Sequence, residues 1–118
     1  MEYEFFRSVE GRHSAQFAMG HEIMGPWLSD EIDKAEAEHL LVLIAEVAKG
    51  DLPEVKRQYS DSMLLLNRDE AELTAHALAF EHHDLQEGMV YYDDEQQAGC
   101  GLEDLAYMLR QWYDFVSE

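Results

Sequence analysis

Acidic side chains greatly outnumber basic ones in this chain, and that imbalance limits what it can fold into. The 118 residues include 26 Asp and Glu but only 8 Lys and Arg, which gives a formal net charge of −18. Self-repulsion of this size must be offset by a well-buried core. The same field repels nucleic acid phosphates and anionic lipids and attracts cations and basic protein surfaces. We therefore expect no direct contact with nucleic acid or membrane.

The negative charge is concentrated in the second half of the chain. Residues 60–118 hold 14 acidic side chains and only 2 basic ones, Arg68 and Arg110, whereas residues 1–59 hold 12 acidic and 6 basic side chains. A partner attracted by charge should meet the C-terminal half first.

Length and composition indicate one folded cytoplasmic domain spanning residues 1–118. The hydrophobic content of 47% argues against disorder, because strongly charged disordered chains are poor in apolar side chains. Cys100 is the only cysteine, so no intrachain disulfide forms and a reducing compartment is favoured. The N-terminal residues lack the basic region of a secretory signal, and the longest apolar run, 40–45, is too short to cross a bilayer.

The first half of the sequence predicts a hairpin followed by a helix. Apolar and polar residues alternate over 3–9 and resume at 15–19, and the second strand is expected to continue to Met24 before Gly25-Pro26 turns the chain. Ser29 is the predicted N-cap of a helix that ends at Gly50. The predicted apolar face of that helix is Ile32, Ala35, Leu40, Leu43, Ile44 and Val47.

In the second half, residues 51–60 combine a helix-start signal with the alternation of a strand, and we favour the strand. A second hairpin is predicted from 63 to 75, with its turn at Asn67-Arg68-Asp69. No element is assigned to about 80–101, although 89–92 could form a short strand or an ordered loop. The predicted final helix has an inward face of Leu102, Leu105, Leu109, Trp112 and Val116, flanked by Met108 and Tyr113.

This order of elements predicts an α+β fold. Two β-hairpins, each followed by a helix, give the order ββαββα. The simplest packing is an antiparallel sheet with both helices on one face.

The clearest candidate for a metal site is an acidic segment with two histidines. It comprises Glu81-His82-His83-Asp84, Glu87 and Asp93-Asp94-Glu95. These ligands suit a divalent cation, but their spacing matches no defined site, and a solvated acidic loop is the favoured interpretation. We predict no metal and no cofactor.

Two other groups could carry chemistry. Cys100 precedes a predicted helix, a position that lowers the pKa of a thiol, but its acidic neighbours oppose that effect and a packed structural cysteine is favoured. His21 and Glu22 could act as an acid/base pair, but adjacent residues of a strand face opposite sides of the sheet. A structural role is favoured for both.

Four short blocks, spread over the whole chain, form a recognisable set. They are Met1-Glu2-Tyr3-Glu4-Phe5; Met19-Gly20-His21-Glu22 with Gly25 and Trp27; Glu87-Gly88-Met89 with Tyr91-Tyr92-Asp93; and Cys100-Gly101 with Glu103-Asp104. With these blocks the chain resembles the YacL family of small uncharacterised proteobacterial proteins. The resemblance implies no particular activity, cofactor or catalytic residue, and the pair His82-His83 is not part of its pattern.

The functional prediction is a non-enzymatic cytoplasmic protein that contacts a basic protein surface through its acidic C-terminal half. The predicted surface is Glu87, Tyr91, Tyr92, Asp93, Asp94, Glu95, Glu103 and Asp104. A narrower version is mimicry of nucleic acid, in which carboxylates take the place of phosphates. The alternatives are a metal-binding or enzymatic protein that uses the acidic segment with its histidines, and a structural homodimer joined through a sheet edge or the last helix.

Overall fold

The computed structural model describes residues 1–75 and 97–117 and contains both strands and helices. The elements in chain order are β1 (Tyr3–Arg7), β2 (His13–Phe17), α1 (Met24–Glu31), α2 (Lys34–Lys49), β3 (Glu54–Gln58), β4 (Ser62–Asn67), β5 (Glu70–Ala75), β6 (Gln97–Gly101) and α3 (Leu102–Val116). The strands form two antiparallel sheets, one with the order β1-β2 and one with the order β3-β4-β5-β6. The predicted α+β class is confirmed, and the predicted order ββαββα matches roughly, with additional strands in the second sheet.

The four-stranded sheet is covered on one face by two helices. Its buried side chains alternate with more exposed ones, as expected for a sheet with one covered face; they are Ser62, Leu64, Leu66, Ala71, Leu73 and Ala98. Helix α2 contacts β3 and β4, while α3 contacts β5, β6 and α2. Both helices therefore pack on the same face, as predicted.

The first hairpin forms a separate two-stranded sheet with α1 packed against β2. A Cβ atom at Gly25 would lie 2.8 Å from the carbonyl oxygen of Ala15, so glycine is what lets the helix approach the strand this closely. The Ser29 hydroxyl strengthens the contact: it accepts a hydrogen bond from the Ala15 amide and donates one to the Gly25 carbonyl, at 2.9 and 2.8 Å.

Three predictions for this region were wrong. Strand β2 ends at Phe17, and Gly25-Pro26 lies inside the first turn of α1, where the missing N–H of proline needs no partner. Ser29 is not an N-cap, because its hydroxyl bonds back to the preceding turn of α1. Asp33 caps α2 instead, with its carboxylate accepting from the Glu36 amide at 2.8 Å.

The C-terminal end of α2 and most of the buried faces of the long helices agree with the sequence, but Ala35, predicted on the apolar face, is exposed, and Ile32, predicted on the same face, lies before the start of α2. Helix α2 ends at Gly50, whose φ of 88° is the left-handed conformation that glycine favours at a helix end. In α3 the side chains of Leu102, Leu105, Leu109 and Trp112 are buried. The Trp112 indole Nε1 donates to the Ile32 carbonyl at 2.7 Å and so joins α3 to the connection between α1 and α2.

Residues 97–101 form β6, in a region to which the sequence assigned no element. Strand β6 pairs with β5, so that Ala71 lies opposite Cys100. The possible strand at 89–92 lies outside the described residues. Among the helices that the structure describes, none combines the length and the apolar character needed to span a membrane.

Candidate functional site

The described part of the predicted acidic surface lies at the start of α3. Glu103 and Asp104 are exposed in the first turn of the helix, where carboxylates interact favourably with the partial positive charge of the helix end. Gly101 occupies the N-cap position and contributes no side-chain cap. The remaining predicted surface residues, Glu87, Tyr91, Tyr92, Asp93, Asp94 and Glu95, lie outside the described residues.

Ion pairs in the described chain are confined to its first half. They are Arg12–Asp30, His39–Glu36, Lys49–Asp51 and Arg57–Glu36. Within residues 60–75 and 97–117, no carboxylate forms an ion pair with a described residue. Glu103 and Asp104 are among these carboxylates. The described carboxylates of the C-terminal half therefore carry charge that no described cationic side chain neutralises.

Cys100 is half-buried at the end of β6 and faces an environment that disfavours the thiolate. Burial and then the nearby Asp104 carboxylate raise the pKa of the thiol from 9.0 to about 11, and the amino group of Met1 opposes them. The thiol is therefore protonated at neutral pH, which does not favour the nucleophilic interpretation.

His21 and Glu22, the candidate acid/base pair, each make a hydrogen bond that holds the connection between β2 and α1. The His21 Nε2 donates to the Gly99 carbonyl of β6 at 3.0 Å. The Glu22 carboxylate accepts from the Gly20 amide at 2.9 Å. Both contacts support the structural role favoured by the sequence.

A hydrogen bond and two electrostatic effects link three of the four sequence blocks that carry the resemblance. His21 lies against Gly99, next to Cys100, and the Met1 amino group acts on the Cys100 thiol. The phenol of Tyr3 in β1 lies in the field of Asp104 in α3, which contributes to its raised pKa after burial and Tyr107. The fourth block, 87–93, lies outside the described residues.

Within residues 1–75 and 97–117, no three His, Cys, Asp or Glu side chains lie close enough together to hold a metal ion. The acidic segment with two histidines, Glu81-His82-His83-Asp84, Glu87 and Asp93-Asp94-Glu95, is outside that part of the chain. The favoured interpretation of this segment, a solvated acidic loop without a metal, stays a prediction.

Sequence reasoning missed a polar cluster between α2 and the end of β3. The Arg57 guanidinium donates to Glu36 through Nη2 at 2.9 Å to Oε1 and 2.8 Å to Oε2, and the Tyr59 hydroxyl donates to Oε2 at 2.6 Å. The hydrogen bond to Glu36 raises the pKa of Arg57, and burial followed by the same carboxylate raises the pKa of Tyr59. The alternation of Val55, Arg57 and Tyr59 was the available signal, since it places both polar groups on one face of the strand.

A groove of about 380 Å³ runs between β1 and α3. Its lining consists of Tyr3, Glu4, Phe5, Gln111, Asp114 and Phe115. The Tyr3 hydroxyl donates to Oε1 of Gln111 across the groove. Sequence reasoning did not anticipate it, because no local pattern places β1 beside the last helix.

Comparison with known proteins finds relatives over the full chain. The model of an uncharacterised protein family, UPF0231, matches residues 1–116. UPF0231 proteins of Shewanella sp. strain ANA-3 and Proteus mirabilis are each 40% identical to the chain, covering all of it and 98% and 97% of the relative. One from Yersinia enterocolitica is 36% identical, over 98% of both chains. No solved structure matches the chain. The resemblance seen in the sequence is thereby confirmed, and the chain belongs to the uncharacterised protein family UPF0231.

Proposed function

We propose that the chain is a single-domain, non-enzymatic, cytoplasmic protein that contacts a basic protein surface through its acidic C-terminal half. The observation that carries the proposal is the distribution of ion pairs. The described carboxylates of this half, including Glu103 and Asp104, have no cationic partner within the described chain. A basic partner would supply the missing charges.

The energetics of exposed charges explain why such a surface must act collectively. One solvent-exposed ion pair contributes only about 0.2–1 kcal/mol, so a useful affinity requires several pairs together. With a net charge of −18, the chain has enough carboxylates to form several such pairs. The same charge accelerates the encounter with a positive surface. A contact of this kind weakens when salt screens it.

The described groups that could carry a reaction have other roles. The thiol of Cys100 is held protonated, and His21 and Glu22 support a connection between elements. These roles support a binding function over catalysis. The cytoplasmic assignment is supported by the single cysteine and by the absence of a long apolar run in the sequence.

Affinity capture from a bacterial extract tests the proposal at two ionic strengths. At about 0.1 M salt the Debye length is about 10 Å, and at about 1 M it is about 3 Å. We expect a basic protein to be retained at the lower concentration and released at the higher one. The same protein should be retained less by the double variant Glu103→Gln/Asp104→Gln.

The control is Glu38→Gln/Glu54→Gln, which removes the same charge from exposed positions of the first half. It should retain the partner as well as the wild type does. Circular dichroism of each variant checks the fold, because first-turn carboxylates contribute to helix stability. Retention that does not change with salt, or equal losses in both double variants, would contradict the proposal.

A further inference from the structure

The groove between β1 and α3 lies along an edge strand. Within the described chain β1 pairs with β2 alone, and no residue of β2 lines the groove. The groove therefore follows the side of β1 that faces away from β2. An edge strand of this kind presents unpaired backbone N–H and C=O groups to an incoming chain.

Aromatic rings that pack on one another form the floor of the groove. The ring centroids of Tyr3 and Phe5 are 5.2 Å apart, and those of Phe5 and Phe115 are 5.7 Å apart. Behind them, Phe5 meets the buried Trp112 edge to face at 5.0 Å. The hydrogen bond from Tyr3 to Gln111 joins the outer ring to the helix side of the groove.

Carboxylates stand on both sides of this aromatic floor. Glu4 is exposed on the strand and Asp114 is exposed on the helix, and neither forms an ion pair with a described residue. Asp104 acts on the Tyr3 phenol from an earlier turn of the same helix. Aromatic faces flanked by carboxylates favour Lys and Arg side chains, because the ring face and the carboxylates both attract a cation.

We propose that this groove binds an extended basic segment of a partner protein, which adds to β1 as a third strand. Backbone hydrogen bonds to β1 would provide the affinity, and alternate side chains of the segment would place Lys or Arg over Tyr3 and Phe5. The inference rests on the proposed function, because it names the segment by which a basic partner is held.

A second copy of this chain is a poorer occupant of the groove. Pairing of β1 with another β1 would bring a segment with two carboxylates, Glu2 and Glu4, and one cation, Arg7, beside Glu4 and Asp114, so the added strand would be net acidic. Like charges at such positions are destabilising. The charge of the groove thus selects a basic partner over self-association.

The test is a titration of the isotope-labelled full chain with a short synthetic peptide that alternates lysine and valine, followed by NMR. We expect shifts of the backbone amides in β1 and around Gln111 and Asp114, and little change along β3, an edge strand of the other sheet. The same peptide N-methylated at every residue keeps its charge but loses the backbone donors on both of its edges, and it should bind about tenfold more weakly. Glu4→Gln/Asp114→Asn should weaken binding about five- to tenfold, while the control Glu38→Gln/Glu54→Gln should not.

The outcomes separate this inference from the function on which it rests. Three results would each contradict the proposal that the groove binds a basic segment. They are equal binding of the methylated peptide, amide shifts confined to other surfaces, and self-association in light scattering without peptide binding. A basic protein could be captured by the wild type and by Glu4→Gln/Asp114→Asn equally well, but no longer by Glu103→Gln/Asp104→Gln. That result would contradict binding in the groove and leave the proposed function intact.

Discussion

The hydroxyl group of Tyr59 donates a hydrogen bond of 2.6 Å to the carboxylate of Glu36, across the boundary between β3 and α2. Arg57 binds the same carboxylate, and the ring of Trp27 meets the Tyr59 ring edge to face at 5.8 Å. One carboxylate in the first turn of α2 therefore fixes the helix to the edge of the four-stranded sheet.

Replacing Tyr59 by phenylalanine should destabilise the protein by about 1–2 kcal/mol, because the variant removes a hydrogen bond to a charged group that remains half-buried. Urea unfolding followed by circular dichroism measures the change. Tyr113→Phe is the matched control, since no described hydrogen bond involves the Tyr113 hydroxyl, and it should change the free energy of unfolding little. Equal effects of the two substitutions would show that the Tyr59 bond contributes nothing specific.

Alkaline pH should destabilise the wild type more than Tyr59→Phe. Burial and the hydrogen bond to Glu36 raise the pKa of Tyr59 above its usual value of 10.0. The unfolded chain then releases this proton at a lower pH than the folded chain does, so the contribution is complete below about pH 10 and is lost as the pH rises beyond it. Urea unfolding near neutral pH and at about pH 11 measures the difference; parallel losses in both proteins would exclude this role for Tyr59.

Cys100 should react slowly with a thiol reagent in the folded protein. A pKa raised from 9.0 to about 11 leaves far less thiolate near pH 8, so the folded chain should react about ten- to a hundredfold more slowly than the chain in urea. Asp104→Asn should accelerate the reaction of the folded protein, whereas Glu103→Gln should not. A folded protein that reacts as fast as the unfolded one would be inconsistent with this environment.

Gly25→Ala should destabilise the protein by about 1–3 kcal/mol, because the new methyl group would collide with the Ala15 carbonyl and push α1 away from β2. Gly99→Ala is the matched control, since its Cβ would lie 3.5 Å from the Ala71 carbonyl oxygen, an ordinary contact. Thermal unfolding of both variants provides the comparison. A tolerated alanine at position 25 would refute the close approach.

Local sequence patterns correctly predicted the elements in which the apolar pattern, the end residues and the turn residues all indicate the same structure. Helix α3 has a continuous apolar face and acidic residues in its first turn, and α2 ends at a glycine that adopts the left-handed conformation. The hairpin of β4 and β5 combines an apolar run with a polar turn. In each case the signal lies within the element itself, so no distant contact is needed to form it.

The misread elements depend on contacts between distant residues. Ser29 has the residue type of an N-cap, but its hydroxyl bonds Ala15 and Gly25. Strand β6 contains two glycines and carries little strand propensity, and it forms because β5 offers it an edge. The site residues show the same contrast. The sequence pattern predicted that Glu103 and Asp104 lie at the start of a helix. It could not predict that Arg57 contacts Glu36 or that β1 lies beside Asp114, because these residues are far apart in the chain.

The most direct test of the central claim, that unpaired carboxylates of the C-terminal half hold a basic partner, is the dissociation constant for the purified captured partner at about 0.1 M and about 1 M salt. It should be measured for the wild type, Glu103→Gln/Asp104→Gln and Glu38→Gln/Glu54→Gln. We predict weaker binding at high salt and a loss confined to the first double variant. A dissociation constant that changes with neither salt nor the charges at 103 and 104 would contradict the claim.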